Sequence, residues 1–373
     1  MRLTMNRLNR ATLARQLLLR REPMTAAEGV RRVVALQAQE AASPYLALWN
    51  RLAGFDPAGL DAAFAGQEVV KSTLMRITLH AVHAGDYPAF HNAMAPSLRG
   101  ARLGDRRYTG EGLSVADADA LLPHLLEYAA APRTKPEIEE LIRERLGEHR
   151  PRMWWALRTF APLHHVPTGG PWSFGARGAF TATRLPRLAA EERQQSVRHL
   201  VHRYLEAFGP ASVADIAQFT LLTRPVIRAA TTGFERFEGP DATVLYDVPG
   251  GDLPEEDTPA PPRLLPMWDS VLLAYSDRSR VIPPDLRRLV TRQNGDVLPT
   301  LLVDGRVAGV WRPAEGGIEA TAFVPLRERD WSGLAAEAED LVRFLAGRDP
   351  GVYRRYAHWW AKLPQGETRL LAA

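Results

Sequence analysis

The chain has 373 residues, 46% apolar and 24% charged, the proportions of an ordinary soluble globular protein with room for two or three domains. Its net charge of +4 (47 basic against 43 acidic side chains) is carried on the basic side almost wholly by Arg, since Lys71, Lys135 and Lys362 are the only lysines. The absence of Cys excludes disulfides, thiolate zinc sites, iron–sulfur clusters and Cys nucleophiles.

No stretch approaches the roughly 20 apolar residues of a membrane span. Arg2, Arg7, Arg10 and Arg15 interrupt any signal-peptide core, so a cytoplasmic protein without a membrane partner is expected. Arg forms bidentate contacts to phosphates and base edges, which permits a nucleic-acid role. A GC-rich coding sequence accounts for the same bias equally well.

Taken in order, Asn9 or Thr12 is the expected start of a first helix with Leu13, Leu17 and Leu18 at helical spacing. Thr25 caps a second helix, with Glu28 completing a capping box. That helix runs on toward Gln37-Ala38-Gln39, before Ser43-Pro44. On a helix, positions i and i+2 lie about 200° apart, so the helix must end or distort there if both amides act together. Read alone, these residues favour two solvated amides at a helix end. YLALWNRLAG and the stretch from Asp56-Pro57 to Phe64 are further helices, and VVKSTLMRITLHAVHAG is a hairpin.

The same order recurs twice. Ser114 caps a helix to Tyr128, Thr134 to Glu137 opens another, Arg152 to Trp155 begins a third, and LHHVPTGGPWSFGARGAFTAT supplies a hairpin. Then come a helix from Glu191 to Phe208, one capped by Ser212, one from Arg224-Pro225, and strands in FERFEG and ATVLYDVP. Helix, helix, hairpin is winged-helix order. The copies share element order rather than residues. Residues 249–263, rich in Pro and acid, form a linker. Beyond it, LLPMWDSVLLAYSDRSRVIPP reads as mostly strand, Asp304-Gly305 as a hairpin turn, and Leu334 to Phe344 as a helix. VYRRYAHWW is a short basic-aromatic stretch near the end. The expected class is α+β. The regions are 1–110 with Gln-x-Gln, 111–188, 189–248, and a β-rich 249–373 with a terminal helix.

Ten histidines offer no metal set: His80 and His83 fall on opposite faces of a strand, His199 and His202 lack a third ligand, and no HExxH occurs. There is no phosphate-binding glycine loop and no nucleophile elbow, so neither metal nor nucleotide cofactor is expected. Asp269, Asp277, Arg278 and Arg280 read equally well as a structural charge network or as part of a site. Trp154-Trp155 reads as core more readily than as a base-stacking platform. Arg177 in the wing turn and Arg287, Arg288 and Arg292 are candidates for phosphate contacts, against an ordinary solvated surface.

Together these features resemble the HTH_42 winged-helix family of bacterial DNA glycosylases. The resemblance is carried by the three helix–helix–hairpin copies, Gln37-Ala38-Gln39, Leu74-Met75-Arg76-x-Thr78-Leu79-His80, and Leu265-Pro266-x-Trp268-Asp269 through Tyr275-x-Asp277-Arg278. It implies three winged-helix motifs in a C-shaped basic channel, braced by a C-terminal β-rich scaffold. It also implies excision of N7-alkylated purines from double-stranded DNA, unhooking of interstrand crosslinks, and self-resistance to azinomycin-type bifunctional alkylators. Gln37 and Gln39 would be the catalytic pair. Relatives carry Gln-x-Asp, from which this chain departs at Gln39. Arg76, His80 and Asp269 are expected to border the site.

The chemistry suits neutral amides. N7-alkylation makes the base cationic, so it leaves as a neutral molecule and little general acid is needed. Two amide carbonyls are expected to orient a water at C1′. With three lysines and no evident pocket for any of them, a monofunctional, water-using monomer is expected rather than an amine nucleophile. A bulky or crosslinked adduct argues for an open channel over deep base flipping. The alternative is a non-catalytic winged-helix transcriptional regulator, which would bind one DNA sequence and release no base. A purely structural protein fits the basic balance least.

Overall fold

The computed structural model describes residues 1–186 and 188–371. Local sequence rules place most helices. Thr25 and Glu28 form the expected capping box on the helix Ala26–Val33, and Ser114 with Asp117 does the same for Val115–Tyr128. The first helix is Met5–Arg15, capped by Thr4 rather than by Asn9 or Thr12. Those two face inward instead: Asn9 Nδ2 donates to the carbonyls of Arg280 (2.6 Å) and Gly305 (2.7 Å), and Thr12 Oγ1 meets the Tyr275 hydroxyl at 2.7 Å. The C-terminal helix is longer than its apolar stripe suggested, Glu328–Ala346.

The first two hairpins do not stay separate. Strands β1 (Leu36–Gln37), β2 (Val69–Thr73), β3 (Leu79–His83), β4 (Arg133–Thr134), β5 (Leu163–Val166) and β6 (Ala179–Ala182) make one six-stranded sheet in the order β1-β3-β2-β5-β6-β4. The join is Lys71 opposite His165, between β2 and β5. The third hairpin, β7 (Glu235–Glu238) with β8 (Val244–Asp247), remains a two-stranded ribbon. A five-stranded antiparallel sheet follows, built from β9 (Arg263–Leu265), β10 (Thr300–Val303), β11 (Arg306–Ala314), β12 (Gly317–Ala322) and β13 (Glu367–Leu371), in the order β13-β12-β11-β10-β9. Asp304 and Gly305 both take positive φ (46° and 75°) in the β10–β11 turn, as an Asp-Gly hairpin requires.

Two expectations about the C-terminal half need correction. Residues 249–263 are not a free linker. Arg10 Nε donates to the Thr258 carbonyl at 2.7 Å, Arg15 Nη2 to the Asp252 carbonyl at 2.9 Å, and Arg7 pairs with Glu255 at 2.9 Å. The segment from Leu264 to Pro284 is not mostly strand either: β9, a 3-10 turn, Ser270–Leu272, and the first residue of a second, Pro284–Leu286, are its regular parts. It threads between the two large apolar cores, with Leu264 and Val271 in one and Ala274 and Tyr275 in the other. Side chains replace strand partners for its backbone carbonyls: Asn50 bonds Leu264 (2.8 Å), Trp311 bonds Leu265 (2.9 Å) and Tyr204 bonds Ala274 (2.8 Å). Among the described residues, no helix is long and apolar enough to cross a membrane.

Candidate active site

The helix Ala26–Val33 stops four residues short of Gln37. Val34 has φ 74° and ψ −51°, and the Ala35 N–H bonds the Val33 carbonyl at 3.0 Å. This is a γ-turn of the rare positive-φ kind, on a β-branched residue, and it stores on the order of 1–3 kcal/mol of strain. The chain leaves it as β1, antiparallel to β3, with Leu36 opposite Ala81 and Gln37 opposite His80. Gln37 is therefore a strand residue, not the end of a helix. Nothing in the local sequence announces that, because the two-residue strand exists only through its distant partner.

The turn is braced from both sides. Gln16 Nε2 donates to the Val33 carbonyl (3.3 Å), and Ser270 Oγ donates to the Ala35 carbonyl (2.7 Å). Both braces lead to Arg51. Its guanidinium makes a bidentate pair with Asp269, 2.8 Å on each arm, with both side chains at 0% exposure, and its Nη2 also reaches Gln16 Oε1 at 3.4 Å. Asp269 in turn accepts from the Val271 N–H at 3.1 Å, fixing the 3-10 turn that carries Ser270. Asp269, expected at the edge of the site, is thus sealed in the support behind it. It does not pair with Arg278 or Arg280, and its partner Arg51 lies 218 residues away in sequence.

Gln37 is buried, and its Oε1 accepts from Arg76 Nη2 (2.7 Å) and Thr78 Oγ1 (3.3 Å). The Arg76 bond engages that carbonyl, and the single Thr78 hydroxyl proton is shared with the Met75 carbonyl at 3.0 Å; the Nε2 amide end has no partner among the described residues. Arg76 and Ile77 take left-handed φ (54° and 60°) in the β2–β3 turn, and the Arg76 guanidinium sits 5.1 Å over the Phe219 ring. Burial lowers the Arg76 pKa to about 9, with Arg278 adding repulsion; Arg278 is lowered to about 10, first by burial and then by Arg287. A run of positive charge therefore leads from Arg287 through Arg278 to Gln37. His80 is sealed, with Nδ1 3.1 Å from the Thr78 carbonyl, and burial lowers its pKa to about 3.

Gln39, in the bend after β1, is exposed and has no side-chain hydrogen bond among the described residues. It lines an open cleft of about 440 Å³ together with Glu40, Lys71, His165, Phe174 and Arg355. Glu40 is held by Arg355 and by the Tyr356 hydroxyl at 3.0 Å. Gly175, Ala176 and Gly178 of the β5–β6 loop also line this cleft, so the exposed Arg177 stands at its rim. Arg287 and Arg288 are exposed on the short helix Arg287–Val290, whereas Arg292 is half-buried with its guanidinium 4.6 Å over Trp359. Trp154 is core, and Trp155 is flanked by the guanidinium groups of Arg102 (4.3 Å) and Arg107 (4.8 Å).

Sequence reasoning missed Lys71. The expectation that no lysine has a pocket is corrected here: Lys71 reaches the cleft that Gln39 lines. The available signal was a single lysine inside the β-branched run Val69-Val70-Lys71-Ser72-Thr73. Gln16, Arg51 and Ser270 carried no signal, since their role exists only through long-range contacts.

A sequence profile described as DNA glycosylase AlkZ-like matches residues 30–344. An interstrand DNA cross-link repair glycosylase from Streptomyces sahachiroi is 26% identical over 366 residues, covering 89% of this chain and 94% of that protein. The structure of the Streptomyces sahachiroi DNA glycosylase AlkZ superposes with a TM-score of 0.76 at 20% identity, covering 92% of this chain and 97% of that one. At that identity the structural likeness speaks for the fold.

Proposed function

The chain belongs to the AlkZ-like DNA glycosylase family, and from that premise we propose that it hydrolyses the N-glycosidic bond of N7-alkylated purines in double-stranded DNA, including purines tied into interstrand crosslinks. The observation that carries this reading is the pairing of a locked amide with a free one. Gln37 is fixed by Arg76 and Thr78, while Gln39, two residues on, stands exposed at an open cleft.

An N7-alkylpurine departs as a neutral base, so the barrier lies mainly in meeting the oxocarbenium-like sugar with a well-placed water. The Gln37 carbonyl is already engaged, so its Nε2–H is the end that can hold the water oxygen. The Gln39 carbonyl then accepts a hydrogen bond from that water and points negative dipole density at the developing cation. This revises the expectation that both carbonyls face the water. No carboxylate needs to be desolvated, and the surplus proton can pass to solvent through the open cleft.

That openness also supports crosslinks as substrates, since a base still tethered to the opposite strand need not be swallowed by a closed pocket. Such lesions are the products of bifunctional alkylating agents, and removing them would protect a cell exposed to one. The DNA-facing cations are taken to be Arg177, Arg287 and Arg288, on a monomer acting on cytoplasmic DNA. Family membership favours this reading over a non-catalytic regulator.

The test is incubation with duplex DNA carrying N7-methylguanine or an interstrand crosslink, with chromatography for freed base and for unhooked strands. Release by the wild type and its loss in both Gln37→Ala and Gln39→Ala are expected. Full release by the double variant would end the proposal.

A further inference from the structure

Lys71 is the residue in this cleft that base release leaves unused. It stands on β2 at the seam of the six-stranded sheet, opposite Ala81 on one side and His165 on the other. Side chains alternate between faces along a strand, and Gln37 pairs with His80 rather than Ala81, so Lys71 and Gln37 project from opposite faces. The amine is therefore not offered to the bond that breaks. It faces the cleft lined by Glu40, His165, Phe174 and Arg355, with the residue 5% exposed and Nζ 4.3 Å from the centroid of the Phe174 ring. Among the described residues it has no ion pair and no hydrogen bond. The nearby carboxylate, Glu40, is committed to Arg355 and Tyr356.

A buried cation is ordinarily paired, because an unpaired one loses its hydration without return, and an aromatic face offsets only part of that loss. Burial accordingly lowers the Lys71 pKa to about 8, the charge of Glu40 opposing it in part. The neighbour across the strand is unpartnered too. His165 makes no hydrogen bond among the described residues, and burial first, then the charges of Lys71 and Arg158, lower its pKa to about 3. A neutral imidazole keeps one N–H to donate. Arg158, on the helix Pro151–Phe160, and Arg177 of the β5–β6 loop are both exposed and have no ion pair among the described residues. The group that would complete this corner is an anion whose oxygens meet the amine and the imidazole together.

We propose that Lys71 and His165 form a subsite for one phosphate of the DNA backbone, the amine supplying its counter-charge and the imidazole N–H a hydrogen bond to the same group. The proposal rests on the reading of this chain as an enzyme of double-stranded DNA, and not on where along the strand the base is released. A phosphodiester carries one negative charge, which matches a single uncompensated amine. Its two free oxygens can meet an ammonium and an N–H side by side. Residues paired across antiparallel strands present neighbouring side chains on one face, so Lys71 and His165 are within reach of one tetrahedral group. Arg177 at the rim of the same cleft adds long-range attraction. Bound phosphate favours the charged amine, so the cation that folding leaves unpaired gains its partner when DNA arrives.

With Lys71, Lys135 and Lys362 the only lysines, protein labelled with carbon-13 at the lysine ε-carbon gives one NMR signal for each, and each signal follows the titration of its own amine. Lys71→Gln identifies the Lys71 signal. If that variant fails to fold, Lys135→Arg and Lys362→Arg, both at exposed positions, identify it by elimination. The probes are undamaged duplex DNA and inorganic phosphate, each at fixed ionic strength. Duplex should raise the Lys71 pKa by about one unit or more, a tenfold preference of the anion for the charged amine, while Lys135 and Lys362 move less. His165→Phe should weaken binding of the duplex about tenfold, the scale of one lost hydrogen bond to a charged group. A shift with duplex, with or without one from inorganic phosphate, supports a backbone phosphodiester. A shift with inorganic phosphate alone would assign the cleft to a free phosphate and overturn the proposal, as would no shift or an equal shift at all three lysines. Wild-type binding by a folded His165→Phe would overturn the part given to the imidazole. Neither probe carries an alkylated base, so failure here leaves release of N7-methylguanine standing as a separate result. The shift without any base release would count against the glycosylase reading and not against the subsite.

Discussion

Arg76 Nη2 donates a 2.7 Å hydrogen bond to the Gln37 amide oxygen across the β2–β3 turn. The turn that delivers Arg76 is itself strained, with left-handed Arg76 followed by left-handed, β-branched Ile77. The bond, with the Phe219 contact beneath the guanidinium, therefore holds the turn and the amide in one arrangement. Arg76→Ala should lower the base-release rate about 10²-fold, the scale of an ångström of misplacement at a reacting centre. Arg76→Lys should recover only part of it, because an ammonium cannot reproduce the planar fork. Single-turnover release of N7-methylguanine measures both; a wild-type rate in Arg76→Ala would show that Gln37 needs no such clamp.

The two glutamines should separate in stability although both are needed for activity. Gln37→Ala removes the acceptor of a buried, charged donor and should cost about 1–3 kcal/mol. Gln39 is exposed and makes no hydrogen bond among the described residues, so Gln39→Ala should stay within about 0.5 kcal/mol of wild type. Urea unfolding of the two variants side by side makes the comparison. Equal losses would contradict the division between a locked and a free amide.

What could be read from the chain follows the range of the forces involved. Capping boxes at Thr25 and Ser114 and the Asp304-Gly305 turn are settled within four residues, and they appear where the sequence puts them. The helix Tyr87–Leu103 went unread because Pro88, Pro96 and Gly100 mask its apolar face. The end of the second helix at Val33 and the strand at Leu36–Gln37 depend on β3, some 40 residues on, and on Ser270, 235 residues away. In the candidate site, Gln37 and Gln39 stood out through family resemblance, not spacing, since helical spacing argued against their acting together. In the structure helical spacing does not apply, because Gln37 ends a two-residue strand and Gln39 lies in the bend after it. The fusion of the first two hairpins at Lys71 and His165 has no local signature.

The support behind Gln37 makes a graded prediction. Ser270→Ala deletes one brace of the γ-turn and should cost only about 1 kcal/mol of stability. Its effect on base release should be disproportionate, about tenfold or more, because the strained turn relaxes and carries β1 with it. Asp269→Asn leaves Arg51 buried without its counter-charge and should cost about 3–5 kcal/mol. Denaturant midpoints and release rates measured on the same preparations test the order. A Ser270→Ala enzyme with unchanged rate would place the function of that hydroxyl in folding alone.

Stability should fall on mild acidification, through histidines and before carboxylates. Burial lowers the pKa of His80 and His165 to about 3, and of His91 and His164 to about 4, from an ordinary 6.5. The native protein keeps all four neutral at pH 5, whereas the unfolded chain binds a proton on each below about pH 6.5. Unfolding therefore takes up protons in that range, and stability, complete above about 6.5, is lost progressively as the pH falls toward 4. Paired carboxylates such as Asp61 and Asp86, whose pKa values lie below the ordinary 3.8, contribute only at still lower pH. Melting temperatures between pH 7.5 and 5 should be level at first and then drop steeply, with a slope corresponding to several protons. A flat profile down to pH 5 would mean that these histidines are solvated in solution, and with them the sheet face that carries Gln37 opposite His80.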